Sequence, residues 1–417
     1  MRPIRNSGAL MRRAGVVALA GTLAACSRAT LAQSPVVSTA PLTLVLRGDA
    51  LARTKALVAA KDLSVLPAFM KLRRDAEREM KAPIVAVTDK RTLLPPSGDK
   101  HDYFSLSPYW WPDPAKPDGL PYIRRDGETN PASKKDLDRP RLGAMVENVS
   151  TLSLVYYFTG DERYAEHAGR QLRAWFLDSA TRMTPHLHFG QLVRGNPKER
   201  GSAIIDTHNF IDVVDASVLL RGSAGWRAQD ETALRSWMRQ YLAWLRESPN
   251  GKDELRAPNN HGSWYAAQTA TLALFVGDTA LTRSIVSDAK ARIGAQIKSD
   301  GQQPIELGRT RSMHYSGFNA DALSRLAELG RWVGVDLWHY EAPEGGSLRK
   351  AIDHLANYVG RPKEWPGNQI DPVEPGFIVE VMRRAQVALG SPIYVGVIAT
   401  IPGAEEERSL LMYPEVR

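Results

Sequence analysis

Apolar residues recur at three- and four-residue intervals along most of this chain, the spacing that lays one face of an α-helix against a core. The pattern starts near Leu51 and runs through residues 68–80. After an interruption it resumes over 142–158 and continues almost to the C-terminus. Thr159-Gly160-Asp161 ends one apolar run and opens the next, over 162–177. Val276-Gly277-Asp278 does the same between 260–275 and 278–297. Glycine ends a helix because it takes the left-handed conformation without a Cβ clash; aspartate starts one by accepting the first free N–H groups. Residues 206–220 pair with 230–247 in the same manner, and 315–333, 348–358 and 375–389 extend the series. No run of strand-like alternation competes with it. The pattern predicts an all-α protein of successive helical hairpins. Hairpins arranged about an axis make an α/α toroid (an incomplete α/α barrel), whose funnel is lined by helix ends and loops.

The interruption, residues 95–140, is rich in Pro, Gly, Asp and aromatic residues and is expected to be a long ordered loop. Long loops inside compact domains usually serve function. At its centre Tyr109, Trp110 and Trp111 precede Pro112-Asp113-Pro114. Such aromatic faces can stack on the C–H faces of pyranose rings, or can pin the loop to the body. Trp110 and Trp111 can point opposite ways and do both.

The N-terminus has a different pattern. Arg2, Arg5, Arg12 and Arg13 precede an apolar run, Ala14 to Ala25, that is too short to span a bilayer. Leu23-Ala24-Ala25-Cys26 resembles a bacterial lipobox, and Cys26 is the chain's single cysteine. The expected organisation is a signal peptide with lipobox over 1–26, a Ser/Thr/Ala/Pro-rich tether over 27–44 and a toroid domain over 45–417. The expected location is the periplasm, with a possible lipid anchor at Cys26 in the outer membrane. Cleavage after Ala32 or Gln33 is the alternative. A single cysteine leaves packing rather than disulfides to stabilise the fold. The formal charge of +8 falls to +4 without the four leader arginines. That mild excess suits a polyanionic partner, and no basic run or nucleic-acid motif points to DNA or RNA.

Two stretches carry the candidate chemistry. Pro258-Asn259-Asn260-His261-Gly262-Ser263-Trp264-Tyr265 sets two amides and an imidazole at an expected helix start. Glu306-Leu307-Gly308-Arg309-Thr310-Arg311-Ser312-Met313-His314-Tyr315 adds two guanidiniums, an imidazole and a phenol. These groups suit a carboxylated sugar. Removing the proton on C5, beside a carboxylate, requires that the carboxylate be neutralised and the enolate-like intermediate stabilised. Asn, His and Arg donate to carboxylate oxygens. A tyrosine near cations has its pKa lowered and can take one proton and return another.

In this order and spacing, Asn259-Asn260-His261 with Trp264, then Glu306-Leu307, Arg309 and His314-Tyr315, resembles the alginate lyase family with the helical toroid fold. His261 and Tyr315 lie 54 residues apart, as in that family. The Tyr109–Pro114 loop, Asp118-Gly119-Leu120-Pro121-Tyr122 and Arg124-Arg125-Asp126-Gly127 resemble the wider superfamily, and the likeness runs over about residues 60 to 390. The resemblance implies a polysaccharide lyase acting on a uronic-acid polymer by β-elimination. It implies that Asn260 and His261 neutralise the carboxylate, Arg309 assists and Tyr315 is base and acid. Arg311 competes with Arg309, because the run from Arg309 to Tyr315 is one residue shorter than the family pattern. Ser316-Gly317-Phe318-Asn319 also departs from it, towards a branch that includes glucuronan-active lyases. Arg311, His314, Gln191, Tyr109, Trp110, Trp111 and Trp264 are the expected substrate-binding residues. Mannuronate-rich alginate and glucuronan remain the two candidate substrates.

Two rivals stand beside this reading. A glycoside hydrolase would need two carboxylates across the cleft, and Asp102, Asp113 and Asp206 are available. A non-catalytic glycan-binding lipoprotein would need no Tyr315. No cofactor is implied. His186 and His188 lack a third metal ligand nearby, and His208 is expected to be structural.

Overall fold

The computed structural model describes residues 40–196, 198–373 and 375–415. The expected leader, Cys26 and residues 27–39 of the expected tether lie outside the described residues. Helices α1 (Gly48–Ala59) and α2 (Leu66–Glu79) come first. Then follow α3 (Asp138–Thr159) with α4 (Glu162–Leu172), α5 (Phe210–Leu219) with α6 (Ala228–Glu247), and the short α7 (Pro249–Leu255). The chain continues with α8 (Asn260–Val276) and α9 (Thr279–Gln296), one-turn α10 (Pro304–Leu307), α11 (Ser312–Val333) with α12 (Leu348–Ala356), and α13 (Val379–Leu389). Gly160 and Gly277 end α3 and α8 at φ 69° and 95°, and the carboxylates of Asp161 and Asp278 cap α4 and α9. The two Gly-Asp signals therefore act as the sequence predicts.

Burial sorts the helices into two layers. In α8 every residue from Gly262 to Ala273 is buried, the mark of a helix enclosed on all sides. Its many alanines let neighbours approach closely. By contrast α6 buries one stripe, Leu234, Trp237, Met238, Tyr241, Leu242 and Leu245. The inner helices pack in series, α3 on α5, α5 on α8, α8 on α11 and α11 on α13; α4, α6, α9 and α12 pack outside them. Ser409–Met412 bridges α13 to α1 and α2, and α2 meets α3. Arg408 adds a 2.9 Å ion pair to Glu147 of α3. This is an all-α, α/α toroid.

The N-terminal boundary differs from the expectation. Thr43 and Leu44, placed in the tether, are buried. Asp215 of α5 accepts the backbone N–H groups of Leu44, Val45 and Leu46. A buried carboxylate with three donors holds this segment against the ring. Burial still pushes the Asp215 carboxyl up, to about 6.

Elsewhere helix ends shift by a few residues. Residues 173–177 form a π turn rather than more α-helix, and Asp206, the first residue of the expected 206–220 helix, lies within a 3-10 turn, Gly201–Thr207. The 95–140 segment is ordered by strand pairs. Strand β1 (Phe104–Leu106) runs parallel to β4 (Phe189–Leu192), and β2 (Trp110–Trp111) runs antiparallel to β3 (Ile123–Arg124). These short strands bring Tyr109 and Trp110 over the helix starts of α8 and α11.

Candidate active site

The start of α8 is built by close approach and capping. Asn259 accepts the His261 N–H at 3.3 Å and so takes the capping role. A Cβ on Gly262 would lie 2.2 Å from the Ala257 carbonyl, so only glycine lets the entering chain pass there. With Asn259 as the cap, Asn260 is left for other work. It is fully buried, and its backbone N–H and side-chain amide both bond Glu306, at 2.7 Å and 2.9–3.0 Å. Among the described residues its Oδ1 has no hydrogen-bond partner. Burial pushes the Glu306 carboxyl up, and the bonds from Asn260 oppose the shift. His261 Nδ1 meets Glu254 Oε1 at 2.6 Å. Nδ1 is thus the donor to the carboxylate, and Nε2 is the ring nitrogen left for a ligand.

The start of α11 supplies the other side. The Tyr315 hydroxyl lies 2.6 Å from the Tyr109 hydroxyl. The Arg309 guanidinium lies 3.7 Å from the Tyr315 ring centroid and binds Asp126 in a fork, at 2.8 and 3.1 Å. Asp126 also holds Thr310 and Arg124, and these donors keep its carboxyl well below the usual range. Burial raises the pKa of the Tyr315 phenol, the neighbouring Tyr109 adds to the rise, and Arg309 works against it. The expectation that cations lower this pKa is therefore corrected: burial outweighs them, and the phenol is protonated at rest. Burial, followed by the charges of Arg311 and Arg309, pulls the His314 imidazole down to about 4. His314 is therefore neutral at neutral pH, with its ring parallel to Phe318.

These groups face one cavity of about 470 Å³. Its wall includes four arginines (Arg124, Arg139, Arg200, Arg309), three histidines (His208, His261, His314), Asn259, Asn260, Gln191, Tyr109, Tyr315 and Trp110. Among the described residues it includes no aspartate or glutamate. The carboxylates lie one layer back: Glu254 behind His261, Glu306 behind Asn260, Asp126 behind Arg309, and Asp206 behind Gln191 and Arg139.

The Asp206 cluster shows how that layer works. Its carboxylate accepts from Tyr103 at 3.0 Å, Ser105 at 2.7 Å and the Gln191 amide at 2.8 Å, with Arg139 at 3.5 Å. Gln191 sits at φ 45°, unusual for a residue with a Cβ, and its N–H bonds Ser105 at 2.8 Å. A strained residue fixed from two sides at a cavity wall suits ligand contact.

Three expected substrate contacts are corrected. Trp264 is 1% exposed, roofed by His208 and Phe318 at centroid distances of 4.7 and 4.8 Å; it supports the wall from below. Arg311 is drawn aside by a backbone bridge to Gln369 and pairs with Asp371 at 3.1 Å, which leaves the arginine place in the cavity to Arg309. Trp111 is outside the wall: its indole donates to the Glu128 carbonyl at 2.9 Å, and Arg125 covers its ring. Trp110 faces the cavity, so the two tryptophans do point opposite ways.

No sequence pattern marks Arg139 or Arg200, Arg124 is marked only as part of the Arg124–Gly127 motif, and His208 is expected to be structural. His208 lines the cavity with Nδ1 donating to the Ile205 carbonyl at 2.8 Å, and burial lowers its pKa. Arg139 precedes an apolar helical run, and no local pattern marks it. Among the described residues no group of three or more His, Cys, Asp or Glu is placed to hold a metal ion. His186 and His188 instead pair with Asp102 and Glu199.

The family described as alginate lyase matches residues 86–365, a span that contains every group in this cavity. The chain belongs to the alginate lyase family. A crystal structure of an alginate lyase from Bacteroides ovatus is 37% identical, with 89% of this chain and 99% of that one covered and a TM-score of 0.85. Alginate lyase A1-III from Sphingomonas species A1 is 16% identical, covers 85% of this chain and 97% of its own, and gives a TM-score of 0.55. A histidine-to-alanine variant of alginate lyase A1-III, complexed with a tetrasaccharide, is also 16% identical, with 86% and 97% covered and a TM-score of 0.56. At that identity the likeness is one of fold. No curated protein matches. The protein is a polysaccharide lyase.

Proposed function

We propose that this lyase cleaves alginate in mannuronate-rich stretches by β-elimination. Tyr315 first gives up its phenolic proton to solvent; the phenolate then takes the C5 proton, the C–H electron pair forms the C4–C5 double bond, and the C4–O bond breaks. Tyr315 then returns a proton to the leaving oxygen. His261 and Arg309 meet the carboxylate on C5, each held in place by an acid of the layer behind, and Asn260, whose amide donors are taken by Glu306, fixes the start of α8 beside them. His314, Gln191, Tyr109 and Trp110 contact the sugars.

The observation that carries this reading is a cavity wall that, among the described residues, has no carboxylate. Glycoside hydrolysis needs a carboxylic acid and a carboxylate across the cleft. Asp206 is committed to four partners behind the wall, and Asp102 and Asp113 lie outside it. Elimination beside a carboxylate needs donors and cations, which this wall has. The substrate follows from the Bacteroides ovatus relative, which is an alginate lyase by name. In mannuronate and glucuronate the C5 hydrogen and the C4 oxygen share a face, so one tyrosine can serve both steps. Glucuronan is the alternative that the same chemistry supports.

The test is ultraviolet absorbance of the unsaturated uronate, measured on polymannuronate, polyguluronate and glucuronan. The expected rise is largest on polymannuronate. A larger rise on glucuronan would transfer the assignment, and new reducing ends without absorbance would end it. We also propose export and lipidation at Cys26. Labelled palmitate should enter the wild type and not Cys26→Ser; equal labelling would refute that placement.

A further inference from the structure

The four cavity arginines are not equally neutralised. Arg124 and Arg309 share Asp126, at 2.7 and 2.8 Å, and Arg139 faces Asp206 at 3.5 Å. Arg200 differs: among the described residues no carboxylate lies within 4.0 Å of its guanidinium. Its contacts are the Trp110 ring, 5.2 Å from the guanidinium, and a long 3.4 Å bond to the Ser107 hydroxyl. Burial lowers its pKa and the nearby charge of Arg124 lowers it further, while Glu254 and Asp253, beyond ion-pair distance, oppose the shift only in part. Arg124 sits opposite Trp110 in the β2–β3 pair, so Trp110 is flanked by two cations. A half-buried guanidinium with no anion in direct contact is costly, and a cleft retains one where a ligand brings the missing charge.

We infer that Arg200 binds the carboxylate of a second uronate, next to the one that loses its C5 proton. The lyase thereby selects polymers with carboxylates on consecutive sugars over polymers in which uronate alternates with a neutral residue. This rests on the proposed lyase reading and deepens it. Arg309 and Arg200 line one cavity from different elements, α10–α11 and the turn before Gly201, so one chain of sugars passes both. The Arg309 end is bound up with Tyr315 through its ring contact. The Arg200 end carries Trp110, whose ring lies 5.2 Å from the guanidinium, within cation–π reach, and a guanidinium can bind a carboxylate by two parallel bonds. Arg200 is a specificity-determining residue rather than a member of the proton-transfer set.

The experiment compares wild type, Arg200→Gln and Arg200→Lys on polymannuronate and on polymannuronate with half its carboxyls reduced to alcohols. Binding of a mannuronate tetrasaccharide is measured by calorimetry in Tyr315→Phe, with and without Arg200→Gln. On the full polymer Arg200→Gln should raise KM about tenfold or more with kcat within about threefold, and Arg200→Lys should recover part of the loss. Tetrasaccharide affinity should fall by a similar factor. On the reduced polymer wild type should itself show a raised KM, and Arg200→Gln should add much less. An unchanged KM and affinity, or an equal loss on both polymers, would overturn the inference. Among the described residues Arg200 makes no ion pair within 4.0 Å, so thermal unfolding should be unaltered; a lowered Tm with a matching loss of kcat would also overturn it. Absence of unsaturated product from every polyuronate would refute the lyase reading, while calorimetry would still decide the role of Arg200.

Discussion

Two arginine clusters sit inside the ring of helices, and they meet charge in opposite ways. In the catalytic cleft the arginines, histidines and amides face the cavity, and the acids stand behind them. In the second cluster, around a cavity of about 240 Å³, Glu147, Asp212 and Glu380 face Arg325 and Arg408 directly. Arg325 pairs with Asp212 and Asp321, and the fully buried Arg384 pairs with Asp321 and Glu380. Helix α11 belongs to both: Tyr315 lies in its first turn and Arg325 lies further along it. The same residue types therefore do two jobs. Where acids and bases face each other the charge is settled within the fold. Where the acids are set back, a net positive wall is left for an anionic substrate.

The comparison predicts that the second cluster governs stability and the cleft governs activity. Arg384→Ala breaks buried ion pairs and should cost about 3–5 kcal/mol in denaturant unfolding. The kcat of the folded fraction should be retained; a large loss of kcat at unchanged stability would erase the division. A smaller effect is expected from Glu254→Gln, which leaves a partner for His261 Nδ1 but removes its charge. That change should lower kcat/KM by about 10–100-fold with little change in Tm. A Tm change without a rate change would make Glu254 structural.

The pH dependence sharpens the contrast further. Tyr315 is held as the phenol, so kcat/KM should rise from about pH 6 to about pH 9, and a flat profile would argue against a phenolate base. His314 has the smallest expected effect. Its folded pKa, about 4, is below the unfolded value of about 6.5, so the unfolded state binds more protons between them. Its contribution to stability is present above about 6.5 and is lost as the pH falls towards 4. Wild type should thus lose roughly 1–2 kcal/mol more than His314→Gln on acidification, read from thermal unfolding at each pH.

Local signals in the sequence sufficed where the structure is local. The Gly160-Asp161 and Gly277-Asp278 punctuation marks real helix ends, and Asn260, His261 and Tyr315 meet in the cavity because each sits at a helix start, with Arg309 in the short link before α11. Long-range packing was not legible. Arg139, Arg200 and His208 reach the cavity only because α3 and the Gly201 turn are folded beside α8. Trp264 and Arg311 were misplaced by sequence proximity: one turn into α8 the Trp264 ring lies under His208, and a bridge to Gln369 draws Arg311 away. The attachment of Leu44, Val45 and Leu46 to Asp215 spans about 170 residues, and the low-complexity tether pattern conceals it.

The central claim is that Tyr315 transfers both protons within a cleft that binds the polymer without it. The most direct measurement is the rate of unsaturated-product formation by Tyr315→Phe beside its affinity for a mannuronate tetrasaccharide. The account predicts a loss of about 10⁴-fold in kcat with affinity within about threefold of wild type. Turnover within about tenfold of wild type at unchanged affinity would contradict it.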